Sequence, residues 1–310
     1  MGKYCFGIDV GGTTVKCGLF ETDGTLLDKW EIVTRPENGG ENVLPDIAAT
    51  IVSKLTVKGI AKEDVVGVGV GIPGPVMQGV VPVAVNLHWG EKNVEYELGK
   101  ILDMKVRAGN DANVAALGEL WKGGGEGKEN LIMVTLGTGV GGGIIVDGKI
   151  IEGSHGAGGE IGHAHVDDNI KDPCNCGNYG CLEQVASATG VVRLAKEELQ
   201  KNPDAVTTLR DQEVTSKAVF DAYKDGDAVA AAIVNRFASY LGTALATFAC
   251  VTDPEVIVIG GGVSKAGEAL TDIVGKYYRT RAFSSCANTP IVLAKLGNDA
   301  GMYGAAKLVV

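Results

Sequence analysis

The chain has 310 residues, a formal net charge of −10, 45% hydrophobic residues and 46 glycines. That length suits two domains of ordinary size, each able to bury a core. The acidic balance argues against nucleic acid or anionic membrane as the main partner, because both bind basic surfaces.

The opening, MGKYCFGIDVGG, carries an apolar run too short for a signal peptide's hydrophobic region. No stretch reaches the roughly 18–20 uninterrupted apolar residues of a membrane span. The expected location is the cytoplasm, where thiols stay reduced. YCFGIDV, GGTT and VKCGLFET read as strand, glycine turn and strand, followed by a turn at Asp23-Gly24 and another polar strand. A helix over 42–55 leads to the strand VVGVGV, the loop GIPGPV, and the strand KVRAGN running into the helix DANVAALGEL. The same grammar restarts at 131–148, LIMVTLGTGVGGGIIVDG, again strand, glycine turn, strand and Asp-Gly turn. GNDA occurs at 109–112 and at 297–300, each time after a strand-like run and before a helix. Helices over roughly 186–201, 214–223 and 227–249 alternate with the strands VIVIG and IVLAK, so the class is α/β. The paired echoes predict two domains of related topology: 1–117 plus a returning 298–310, and 118–297. Cys5, Cys17, Cys250 and Cys286 stand among apolar neighbours and are expected to be buried.

G-x-G-x-x-G appears at Gly69–Gly74 and at Gly137–Gly142. A dinucleotide fingerprint needs a helix directly after the glycines to receive the pyrophosphate. Prolines 73 and 75 interrupt the first and a strand follows the second, so neither qualifies, and neither fits a P-loop. What remains is a pair of glycine-tipped hairpins, 9–16 and 136–143. Either alone reads equally well as a plain tight turn. As a matched pair they suit polyphosphate: glycine admits close backbone approach, and turn amides donate to its oxygens. The candidates are Gly11, Gly12, Thr13, Thr14 and Lys16 in the first, with Gly137, Thr138 and Gly139 in the second.

Residues 163–183, HAHVDDNIKDPCNCGNYGCLE, hold three of the seven cysteines and two of the four histidines. A reduced compartment disfavours a disulfide knot. His163, Cys174, Cys176 and Cys181 would make a closed set for structural Zn²⁺, but C-x-C-x₄-C is not the zinc-finger spacing, so spacing leaves metal and chance balanced.

Together DVGGTTVK (9–16), GIPGPV (71–76), NLHW (86–89), AGNDAN (108–113), LGTGVGGG (136–143), GEIGH (159–163) and CNCGNYGCLE (174–183) resemble the ROK family of sugar kinases and repressors, nearly end to end. The resemblance implies two ribonuclease-H-like domains of the actin/hexokinase/Hsp70 superfamily, with an interdomain cleft holding sugar below ATP. It points to ATP-dependent phosphorylation of a hexose, most simply glucose to glucose 6-phosphate. N-acetylmannosamine, fructose or allose are alternative acceptors, and a sugar-sensing protein without catalysis is the reading from another class. The DxGGT strand begins by residue 4, so no DNA-binding arm is expected before it. A homodimer is the implied assembly.

Phosphoryl transfer needs a place for the γ-phosphate and Mg²⁺, an aligned hydroxyl, and a base for its proton. Asp111 and Asp299 share the same local letters, and each could equally be a helix N-cap. The resemblance assigns catalysis to Asp111 and leaves Asp299 to cap the final helix, where Gly301 and Gly304 suit close packing. Asp9 is expected to hold Mg²⁺ through water. By resemblance, Asn110, Asp111, Glu160, His163 and Glu183 pair the sugar hydroxyls, with Gly74 and Asn86 nearby. Gly260, Gly261 and Gly262 form the adenosine loop, and the His-Cys₃ set holds zinc as a strut for the sugar pocket. Both phosphate hairpins lie outside 163–183, so loss of the metal is expected to weaken sugar far more than ATP. His88 stands where relatives commonly have glycine, and Asn175 likewise.

Overall fold

The computed structural model describes residues 2–310, which divide into two units: one runs up to Gly127 and adds Gly143–Gly159 and Lys295–Val310, and the other comprises Lys128–Gly142 and Glu160–Ala294.

The first unit begins with β1 (Tyr4–Val10), β2 (Thr14–Glu21) and β3 (Leu26–Val33), then a single turn α1 (Glu37–Gly40) and the helix α2 (Val43–Lys58). β4 (Val65–Ile72), the short β5 (Val80–Val81) and β6 (Lys92–Asn93), α3 (Val94–Leu102), β7 (Val106–Asn110) and α4 (Asp111–Lys122) follow. Its sheet runs β3-β2-β1-β4-β7, antiparallel over the first three strands and parallel from β1 to β7. Burial alternates along the edge strand β3 and is almost continuous along β4, as expected for one wet face and for a central parallel strand.

β8 (Leu131–Leu136), β9 (Val140–Val146) and β10 (Lys149–Ile150) open the second sheet. The helices α5 (Glu183–Ala186), α6 (Ala188–Lys201), α7 (Ser216–Lys224) and α8 (Ala228–Thr252) precede β11 (Val256–Gly260), α9 (Glu268–Arg279), β12 (Ile291–Leu293) and α10 (Ala300–Lys307). This sheet runs β10-β9-β8-β11-β12, the third-second-first-fourth-fifth order of the first sheet repeated. α8 is long and apolar enough to cross a membrane by length and composition, and Ile233, Val234, Phe237 and Leu241 along it are buried within the second unit.

The division falls later than residue 117 and gives the first unit 143–159 as well. Sterics explain this: a Cβ on Gly143 would come within 2.5 Å of the Ala116 Cβ on α4, so the middle of β9 lies against that helix. The C-terminal segment returns to the same helix. A Cβ on Gly304 would stand 1.7 Å from the Val114 carbonyl, the close helix contact expected of that glycine. The fully buried Glu119 secures the return, accepting the amides of Lys295 and Leu296 at 3.0 and 2.8 Å.

Two further readings are corrected. Cys250 is exposed, while Cys5, Cys17 and Cys286 are buried. Its apolar neighbours belong to a long helix, where Ala249 faces the core and Val251 faces outward. Asp299 does not cap α10. Its own backbone is helical, which keeps the carboxylate from folding back on the first amides, and it pairs with Lys29 at 2.7 Å instead. The helices α3 and α9 carry no expectation from the sequence. α9 is amphipathic, burying Leu270, Ile273, Val274 and Tyr278.

Candidate functional site

In the first unit the candidates gather at the carboxyl ends of the parallel strands, where open α/β sheets bind ligands. Asp9 is the penultimate residue of β1, opposite Gly71 of β4, and Asn110 ends β7 opposite Ile72. Asn110, and not Asp111, caps α4: its Oδ1 accepts the amides of Ala112 and Asn113 at 3.0 and 3.1 Å. Its Nδ2 donates to the carbonyl of Gly74, a residue held at φ +125°. Asp111 is the first helical residue, and its Oδ1 accepts the Ala112 amide at 2.8 Å. Burial raises the pKa of Asp9, and the facing Lys16 partly offsets it. A Cβ on Gly301 would fall 2.7 Å from the Asp9 Cγ, so that glycine makes room for the carboxylate. Lys16 Nζ donates to the carbonyl of Asn298 in the second GNDA. Asn86 is exposed beside the first hairpin, its Cβ 3.5 Å from where one on Gly12 would lie.

The two hairpins close alike. The Gly11 amide donates to Thr14 O and the Gly137 amide to Gly139 O, each at 3.0 Å. Among the described residues no protein acceptor takes the amides of Gly12 and Thr13, or of Thr138 and Gly139. Thr13 and Thr138 are exposed at the tips. Gly260 pairs with Thr135 at the end of β8, which brings Gly260–Gly262 beside the second hairpin.

His163, Cys174, Cys176 and Cys181 bring four ligand atoms within 4.8 Å of one another. Cys174 Sγ lies 3.7 Å from His163 Nδ1, and Cys176 Sγ lies 3.7 Å from Cys181 Sγ. Tetrahedral Zn²⁺ with bonds of about 2.3 Å to sulfur separates its sulfurs by about 3.8 Å, so the set fits that ion. Burial pushes the Cys181 thiol up to about 12, and a cation at the centre is what would hold it as thiolate. His165 is not part of the set: its ring nitrogens meet Tyr179 O and Asp168 Oδ1, both at 2.9 Å. His163 turns its Nδ1 to the thiols and its Nε2 toward Glu160 Oε2, 3.9 Å away.

Glu183 changes the expected separation of sugar and phosphate sites. One carboxylate oxygen accepts the Val140 amide at 3.1 Å while the other lies 3.5 Å from Cys174 Sγ. A Cβ on Gly139 would sit 2.0 Å from Glu183 Oε2, and one on Gly162 would sit 2.0 Å from Val140 O. The 160–183 segment is therefore built onto the second hairpin. The same unit holds a cavity of about 1200 Å³ whose lining includes Thr138, Glu183, Thr189, Arg193, Lys196 and Ser216. A smaller one of about 120 Å³ lies between Ser216, Phe220, Gly262 and Lys265. Thr138, Glu183 and Gly262 were expected from the sequence, but no motif flagged Thr189, Arg193, Lys196, Ser216, Phe220 or Lys265. The helical spacing of Thr189, Arg193 and Lys196 on one face of α6 is the pattern that could have.

A sequence profile of the ROK family matches residues 5–310. A glucokinase of Halalkalibacterium halodurans is 42% identical, the match covering 99% of this chain and 95% of that one. A glucokinase of Thermotoga maritima is 37% identical, over 98% and 96%. Among solved structures, a ROK family glucokinase from Streptomyces griseus in complex with glucose and AMPPNP is 32% identical, with a TM-score of 0.73 and 98% of both chains matched. A profile that runs the length of both sheets, both hairpins and the His-Cys₃ loop leaves one conclusion: the chain belongs to the ROK family.

Proposed function

We propose that this protein is an ATP-dependent hexose kinase that converts glucose to glucose 6-phosphate. The observation that carries the reading is the end-to-end similarity to glucokinases, one of them crystallised with glucose and an ATP analogue. The geometry agrees with it. Two glycine hairpins present uncommitted tip amides suited to a polyphosphate, and Gly260–Gly262 beside the second hairpin suits the adenosine.

Asp111 is the general base. The sugar 6-hydroxyl oxygen attacks the γ-phosphorus, the bond to the β–γ bridging oxygen breaks, ADP leaves, and the hydroxyl proton passes to the Asp111 carboxylate. Asn110 supplies the principal cap of α4, accepting the amides of Ala112 and Asn113, so the helix start does not rest on the Asp111 carboxylate alone. Asn110 can serve the sugar only as a donor, since its Oδ1 is committed to two amides. Glu160, Glu183 and the Nε2 of His163 supply the remaining partners for the hydroxyls. Asp9, a half-buried carboxylate near a strand end, would hold Mg²⁺ through water, and that ion would neutralise phosphate charge. His163, Cys174, Cys176 and Cys181 would hold Zn²⁺ in a closed site that fixes the loop.

Release of ADP, followed with a coupled assay over a panel of hexoses and N-acetylhexosamines, tests the reading. Glucose is expected to give the highest kcat/KM. ATP turnover that no sugar accelerates would overturn it, and a preference for another sugar would overturn the assignment of glucose.

A further inference from the structure

Each glycine hairpin is gripped from behind by a threonine that the sequence did not single out. Thr34, 5% exposed and placed just after β3, uses both of its donors: its amide bonds Thr13 O at 2.9 Å and its hydroxyl bonds Gly11 O at 2.7 Å. At the second hairpin the same pair of donors comes from the first turn of α6. The Ala188 amide bonds Gly137 O and the Thr189 hydroxyl bonds Thr138 O, both at 2.8 Å. Ser187, fully buried, holds Thr189 in turn: its Oγ lies 2.9 Å from Thr189 Oγ1 and also takes the Gly190 amide.

The planarity of the peptide unit gives these bonds a consequence. A carbonyl and the next residue's amide point in opposite directions from one trans peptide. Fixing Gly11 O therefore aims the Gly12 amide the other way, and fixing Gly137 O and Thr138 O aims the amides of Thr138 and Gly139. Glycine tolerates either sign of φ, so an unrestrained glycine tip can turn its peptides over at little cost. A turned peptide would present a carbonyl oxygen to a polyphosphate and repel it.

We propose that Thr34 and Thr189 are positioning residues that lock the two hairpin tips with their amides facing the nucleotide phosphates. The two threonines reach the same solution from different elements, one after an edge strand and one inside a helix's first turn. The lock rests on the nucleotide role proposed above for the hairpins.

Thr189 is exposed, so its variants should fold, and it carries the main test. Thr189→Val keeps the shape and removes the hydroxyl, while Thr189→Ser keeps the hydroxyl and removes the methyl. The valine variant should raise the KM for ATP and the Kd for AMPPNP by about three- to tenfold, with the glucose KM within twofold of the parent. The serine variant should restore nucleotide affinity to within twofold. Thr34→Val and Thr34→Ser should repeat the pattern. A valine variant with unchanged nucleotide affinity, or a serine variant as impaired as the valine one, would overturn the lock. Gly137→Val serves as the control, because its Cβ would meet only Gly139 O at 3.9 Å. If that variant also leaves ATP binding unchanged, the hairpins do not bind phosphate and the failure lies in the functional reading. If it alone impairs ATP binding, the failure lies in the lock.

Discussion

At the scale of single residues, the two copies of GNDA differ in which side chain the backbone allows to act. In the first, Asn110 has extended backbone and caps α4, and Asp111 enters the helix at its first position. In the second, residues 297–299 are already helical, so Asp299 turns outward to Lys29. Asp111→Asn should keep fold and sugar affinity, since the replacement is nearly isosteric and the cap is untouched. It should lower kcat by about 10²–10⁴-fold, because an amide cannot take the hydroxyl proton. A kcat within tenfold of the parent, with circular dichroism unchanged, would remove Asp111 from the role of base. His88 shows a different residue-scale effect. It sits at φ +55°, in the left-handed region that glycine occupies readily, and its Nδ1 meets Pro36 O at 3.0 Å.

At the scale of elements, strand, turn and helix positions were largely legible because their causes are local. Alternation marks β3, glycine tips mark both hairpins, and β-branched runs mark β4 and β11. α3 escaped notice because its start depends on Asn93, whose side chain accepts the Tyr96 amide, in a stretch with no strong apolar run before it. The longest helix, α8, starts on Asp227, whose carboxylate accepts the amides of Val229 and Ala230 and also Thr207 Oγ1 and the Thr208 amide. Burial alone would raise the Asp227 pKa, but these donors outweigh it and hold the carboxyl below its ordinary value. Asp227→Ala should cost about 1–3 kcal/mol in chemical denaturation. A depressed carboxylate pKa gives stability that is present above the unfolded value, near 3.9, and lost as pH falls through the folded one. The gap between parent and variant should therefore be full near neutrality and close progressively as pH drops below about 4. A gap that widens on acidification would contradict the assignment.

For the molecule as a whole, the consequence of the metal loop is wider than its place in the sequence implies. About one Zn²⁺ should remain per chain after dialysis, and Cys176→Ser should release it, since a hydroxyl replaces a thiolate poorly. Glucose affinity should then fall by about ten- to a hundredfold. Nucleotide affinity should fall with it, because Glu183 ties the loop to Val140 of the second hairpin. Zinc-free protein with unaltered glucose and AMPPNP binding would reduce the cluster to a remote clip. The sequence by itself determined the α/β class, the repeated strand–hairpin–strand frame and the glycine tips, because periodicity and turn chemistry act within a few residues, whereas spacing left the His-Cys₃ set balanced between metal and chance until the fold brought its four ligand atoms together. Only the tertiary structure decided that Asn110 and not Asp111 caps α4, that Thr34 and Thr189 bond the hairpin carbonyls, and that 143–159 belongs with the first unit. It alone joined Glu183 to a hairpin 43 residues away in sequence. Those outcomes depend on which backbone groups distant segments bring within hydrogen-bond reach, and no local pattern of residues encodes that.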